Sequence, residues 1–129
     1  RKHAAWGGLG APAVATLHAD AEVRLEDLTV STWNFVSAME PFGEANREPV
    51  LVTYGAIPLD VRTVGIDGKH LKISFDADGR RVESIGFGLG DRPLGTGAVD
   101  IVYQLRTEVW RGKTRHQLGL RDIRPAANK

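Results

Sequence analysis

From residue 99 to residue 123 the chain reads VDIVYQLRTEVWRGKTRHQLGLRDI, two runs of alternating apolar and polar residues on either side of Arg111-Gly112. A two-residue connection containing glycine between such runs predicts an antiparallel hairpin. If the turn is those two residues, one face pairs Val109 with Thr114, Thr107 with His116, Leu105 with Leu118 and Tyr103 with Leu120. The other face pairs Trp110 with Lys113, Glu108 with Arg115 and Arg106 with Gln117. One alignment thus yields an apolar side, a polar side and an opposite-charge pair together. A slip of one residue would carry Leu105 and Leu118 into water, at about 2 kcal/mol for each side chain. The register is therefore strongly specified.

The same pattern continues upstream. Residues 50–54 read as a strand, and residues 59–66 as its continuation after an interruption at 55–58. Asp67-Gly68 is a turn into residues 69–75, where Leu71, Ile73 and Phe75 face in and His70, Lys72 and Ser74 face out. Asp76 to Gly79 is a second turn, and residues 81–87 form the next strand. Its alternation breaks between Val82 and Ile85, which predicts a bulge or burial on both faces. Before Pro49 the pattern is different. Glu22 to Leu28 alternates briefly as a short strand. A helix follows, capped by Thr29 or Ser31, with Trp33, Val36, Phe35 and Met39 as its apolar stripe and Pro41 as its stop. Five or so short strands in this order predict a small closed barrel. The chain divides into residues 1–19, a linker or the remnant of a preceding domain; 20–48, a short strand, helix and Pro/Gly loop; 49–125, the barrel; and 126–129, a tail.

Composition narrows the class. An apolar fraction of 42% and a charged fraction of 26% over 129 residues read as one globular domain. No apolar run approaches the roughly 20 residues of a transmembrane helix, and no apolar segment follows Arg1-Lys2 as in a signal peptide. Position 1 is Arg and the one methionine is Met39, which suggests a piece of a longer protein. With no cysteine, disulfides and thiolate metal sites are excluded, and a reducing, cytoplasmic setting fits.

The net charge of +1 hides a polarity: residues 20–48 carry net −5 and residues 106–129 net +5. Either the C-terminal hairpin meets something anionic, or the two ends attract each other across a solvated surface.

No catalytic constellation emerges. The four histidines, His3, His18, His70 and His116, have no metal-ligand spacing. His116 falls on the inward face beside Leu118, which fits a partly buried, satisfied side chain. Asp76 and Asp78 sit in a DxDG turn, but Phe87 occupies the place of the Glu that closes a calcium loop. Gly86-Phe-Gly-Leu-Gly-Asp91 lacks the helix a phosphate loop needs, and its glycines fit tight packing. The cations are more informative. His70, Lys72, Arg80 and Arg81 lie on one hairpin, and Trp110, Arg111, Lys113 and Arg115 cluster on the other. Cations for phosphates beside flat rings for bases are what a groove for single-stranded DNA or RNA requires. The alternative is solvated charge with Trp110 folded over its own hairpin.

Several stretches resemble the C-terminal region of the RecJ family of single-strand-specific 5′-to-3′ DNA exonucleases. They are DAEVRLEDL at 20–28, MEPFGEANREPV at 39–50, VGIDGKHLKI at 64–73, IGFGLG at 85–90, and VWRGK at 109–113 with LGLRDIRP at 118–125. The family pattern is roughly a LePFGxGNPePvF loop, a GxHLK strand, an aIaFgxG strand and a terminal NxWxG…LxDIRP hairpin. Arg47 stands where that family has Pro and Ala45 where it has Gly, which puts the loop's backbone in question.

The resemblance implies a mainly β, five-stranded OB-fold-like Greek-key barrel with a short N-terminal helical segment. It also implies a non-catalytic, single-stranded-DNA-binding accessory domain of an exonuclease of DNA repair and recombination. The chemistry of such an enzyme resides in a DHH domain that binds Mn or Mg. No DHH motif is present, so no cofactor is expected in this chain and the chain alone is expected to bind without cutting. On this reading Lys72, Arg81, Arg111, Lys113 and Arg115 meet phosphates, Trp110 stacks on a base and His70 makes a polar contact. Expected partners are single-stranded DNA, the parent's catalytic domains and single-stranded-DNA-binding protein, with no membrane. The rival readings are an interdomain brace or protein-interaction module within the same enzyme, and a free-standing enzyme with an unrecognised site.

Overall fold

The computed structural model describes residues 4–5, 18–40, 42 and 47–126. In chain order its strands are β1 (Ala4–Ala5), β2 (His18–Ala19), β3 (Ala21–Glu22), β4 (Leu51–Val64), β5 (His70–Ala77), β6 (Arg80–Gly86), β7 (Val99–Trp110) and β8 (Lys113–Pro125). Helix α1 (Val30–Ser37) lies between β3 and β4. The expected linker at 1–19 and tail at 126–129 fall mostly outside the described residues, as does most of the Pro/Gly loop.

The hairpin forms in the register its pattern demands: Leu105 faces Leu118, Tyr103 faces Leu120 and Trp110 faces Lys113. Arg111 and Gly112 have φ of 52° and 75°, the two positive values of a type I′ turn. Asp78 and Gly79 make the same kind of turn between β5 and β6, with Gly79 N–H donating to Asp76 Oδ1 at 2.9 Å. That is turn chemistry, as the sequence suggested.

Five strands close on themselves in the order β4-β5-β6-β8-β7, with β7 pairing back to β4 and β6 running parallel to β8. Leu71, Ile73, Phe75, Val82, Ile101, Leu105, Leu118 and Ile123 fill the interior. Three expectations need correction. The interruption at 55–58 does not break the strand. There β4 exchanges partners, pairing with β7 up to Ala56 and with β5 from Ile57 onward. Gly55, at φ 70°, makes the bend, and its N–H donates to Oδ1 of the buried Asp100 at 2.9 Å. Second, the segment after Glu22 leaves the sheet for a 3₁₀ turn at Leu25–Asp27, which buries Leu25 and Leu28. Third, Ser74 is buried, its hydroxyl donating to Glu83 at 2.7 Å.

The broken alternation of β6 has a simple cause. Val82, Ser84 and Gly86 all face inward without a bulge, and Ser84 donates to the Ile73 carbonyl at 2.9 Å. Ile85 is half-buried on the opposite, outer face. Helix α1 starts at Thr29, whose N–H donates to the Thr32 hydroxyl. It buries Trp33 and Val36 but turns Phe35 to solvent. Trp33 donates to the Gln117 carbonyl at 3.4 Å and its ring lies 5.4 Å from that of His116. The helix thus covers the apolar side of the hairpin where it rises above the barrel, and His116 is the partly buried side chain expected of it.

Candidate nucleic-acid interface

Because strand side chains alternate, every second residue of the barrel points outward. The registers align Arg62, Lys72, Ile85, Gly119 and Gln104 in one row across all five strands. Around it lie the sequence-predicted residues, in two groups. Lys72 stands in the row itself, with His70 two residues before it on β5. At the far end of β6, Arg81 pairs with Glu83 at 3.1 Å.

The second group is the hairpin tip, where Trp110, Arg111, Lys113 and Arg115 come together. The Trp110 ring is 61% exposed, and the Arg111 guanidinium carbon sits 4.6 Å from its centroid, a cation–π contact. Glu108 and Arg115 face each other across the strands, although none of the described ion pairs joins them. Lys72, Arg111, Lys113 and Arg115 likewise enter none of those pairs.

His70 is committed locally. Its Nδ1 accepts from Gly88 N–H at 3.0 Å, and its ring makes a T-shaped contact with Phe87 at 5.1 Å. Gly90 N–H donates to the Lys69 carbonyl at 2.8 Å, and a Cβ on Gly90 would fall 1.8 Å from the Gly68 oxygen. Gly86 and Gly90 therefore serve close packing, as the spacing suggested, whereas Gly88, at φ 77° with nothing within 4 Å of a Cβ, serves the turn.

A feature that sequence reasoning missed lies between the two groups. A groove of about 470 Å3 runs over the outer face of β6, β8 and β7, with Ile85 and Gly119 at its floor. Phe87 walls one side; Arg106, Glu108 and Arg121 wall the other. Arg106 donates to Glu48 and, at 3.2 Å, to Gln104 Oε1; Arg121 donates to the same oxygen at 3.3 Å. Phe87 has a signal in the sequence, since it follows Ile85 by two residues and so shares its outward face. Arg121 has one too, since it follows Gly119 by two residues on the outer face; the bulge changes the count only beyond it, where Val102 pairs with Asp122 but Tyr103 with Leu120. Among the described residues no three His, Asp or Glu side chains converge as a metal site. No described helix is long and apolar enough to cross a membrane.

A barrel with the first strand paired to both the second and fourth, and the third parallel to the fifth, is the OB fold. Its kind is also evident in the sequence: the chain belongs to the RecJ OB domain family, whose model matches residues 19–122. The chain is 26% identical over 101 residues to the single-stranded-DNA-specific exonuclease RecJ of Bacillus subtilis (strain 168), spanning 76% of this chain and 13% of that protein. It is also similar to crystal structures of RecJ from Thermus thermophilus, at 25% identity in each case. With Mg2+ bound, the TM-score is 0.58 over 77% of this chain and 15% of that one. With Mn2+ bound, it is 0.64 over 85% and 16%. The chain therefore spans about a seventh of the length of these relatives.

Proposed function

We propose that this chain is the single-stranded-DNA-binding, non-catalytic barrel of a RecJ-like 5′-to-3′ exonuclease acting in DNA repair and recombination. The observation that carries this reading is the hairpin tip, where an exposed indole stands among Arg111, Lys113 and Arg115 on the same outer face as Lys72. Those cations, with Arg81, track the phosphates, and Trp110 stacks on a base. His70 serves the strand by holding the loop beside it. Mn or Mg chemistry belongs to the parent's DHH domain. A fluorescent oligonucleotide titrated over a salt series tests the proposal. Each phosphate-contacting cation contributes about −0.7 to the log–log slope for single strands. A flat salt response, or no binding at low salt, overturns it.

A second reading, an interdomain brace or docking surface for a protein such as single-stranded-DNA-binding protein, is favoured by one feature. Ile57, Leu59 and Val61 are exposed apolar side chains clustered around the bulge of β4 at residues 58–60. Under that reading Leu59→Glu weakens association with the catalytic domains and leaves oligonucleotide affinity unchanged. Loss of oligonucleotide binding in that variant would count against it.

A further inference from the structure

We propose that the groove over Gly119 is a one-nucleotide subsite, with Arg106 and Arg121 on the phosphate and the Phe87 ring under the base. It rests on the single-strand-binding reading above and adds a place of contact apart from the hairpin tip.

Two observations carry it independently. The first is the convergence of two guanidiniums on one oxygen. Arg106 and Arg121 both donate to Gln104 Oε1, and Gln104 is only 8% exposed, so its amide is a fixed anchor. Two like charges drawn to one point repel each other, and an anion bound across them removes that cost while accepting charge-assisted hydrogen bonds. Glycine at position 119 makes the convergence possible: a Cβ there would lie 3.0 Å from both Cγ and Nε of Arg106. Glu48 holds Arg106 from the other side, so a phosphate competes with one carboxylate.

The second is the ring. Phe87 is 73% exposed, yet the backbone that follows it is tied down. Gly88 N–H is held by His70 and Gly90 N–H by the Lys69 carbonyl, and the His70 ring meets the phenyl in a T-shaped contact. An apolar ring held in place and left mostly open to water is a preorganised stacking platform. The groove's volume lies within the ~300–1,000 Å3 of small-molecule sites. Glu108 on its wall opposes a second phosphate, which limits the subsite to one step of the strand.

The test binds the full 129-residue chain to two labelled strands of equal length, oligothymidylate and an abasic deoxyribose-phosphate strand, over a salt series. Arg121→Gln should weaken both strands and make the log–log salt slope shallower by about 0.7. Phe87→Ala should weaken oligothymidylate about tenfold at unchanged slope and leave the abasic strand unaffected. If both variants bind both strands like the unsubstituted chain while Lys113→Glu loses affinity, the subsite is refuted and the single-strand reading stands. A Phe87→Ala loss equal on the two strands also refutes it, since base stacking cannot explain that result. Absence of binding by the unsubstituted chain to either strand overturns both.

Discussion

Tyr103 shows how much a single buried polar atom constrains this barrel. Its hydroxyl lies 2.7 Å from Thr53 Oγ1, which in turn donates to the Val23 carbonyl at 2.7 Å, so the phenol is the donor to Thr53. Burial pushes the phenol far above its ordinary value. The sign follows directly. The fold holds the neutral phenol, so its stabilisation is complete below the unfolded value of about 10 and is lost as pH rises from there toward the folded value. Urea unfolding of the native chain should therefore weaken above about pH 10, and Tyr103→Phe should remove the part of that decline due to this group. At pH 7 the same substitution should cost about 1 kcal/mol, the net worth of one hydrogen bond. An alkaline decline that is identical in the two proteins would show that Tyr103 is not its source. The alternation of residues 99–105 made Tyr103 legible as an inward side chain. Its partner was not legible, because Thr53 is fifty residues away and its hydroxyl looks like any other strand threonine.

Elements were most legible where one face is greasy and the turn is short. The β7–β8 hairpin has both, and its pairing follows from the sequence residue by residue up to Tyr103–Leu120. Beyond that the bulge at Arg121 shifts the count, and nothing in LGLRDI marks it. Gly55 was misleading for a related reason. Glycine and proline punctuate strands on average, but here the glycine bends a continuous strand where it changes neighbours, and the acceptor that permits this, Asp100, is 45 residues on.

Two glycine substitutions separate conformational from steric demand. A Cβ on Gly55 meets nothing within 4 Å, so Gly55→Ala should cost only the positive φ, about 1–2 kcal/mol. In Gly90→Ala the added carbon overlaps the Gly68 carbonyl, and residues 87–90 must part from the β4–β5 connection. That substitution should cost more than about 3 kcal/mol or prevent folding. Urea midpoints rank the two, and equal losses would contradict the tight packing of this loop.

Over the whole molecule, the charge polarity of the sequence takes a definite form. Its acidic block, residues 20–48, and its basic block, residues 106–129, are joined among the described residues by the ion pair of Glu48 with Arg106. Attraction between the ends thus engages a cation at the groove and leaves those at the hairpin tip turned outward. Sequence could count these charges but could not say which ones meet, since contact depends on barrel closure bringing the start of β4 beside β7. The consequence is a built-in competitor: any phosphate arriving at Arg106 must displace a carboxylate. The Arg106 side chain is about half exposed, so the pair is worth at most about 1 kcal/mol. Glu48→Gln keeps the side chain's shape and removes its charge. It should tighten oligonucleotide binding by about threefold at low salt, with the gain shrinking as salt screens the pair. Fluorescence anisotropy at about 50 mM and about 500 mM salt would measure both. Unchanged affinity at low salt would mean that the strand never reaches Arg106, and a loss of affinity would mean that Glu48 positions this arginine instead of competing for it.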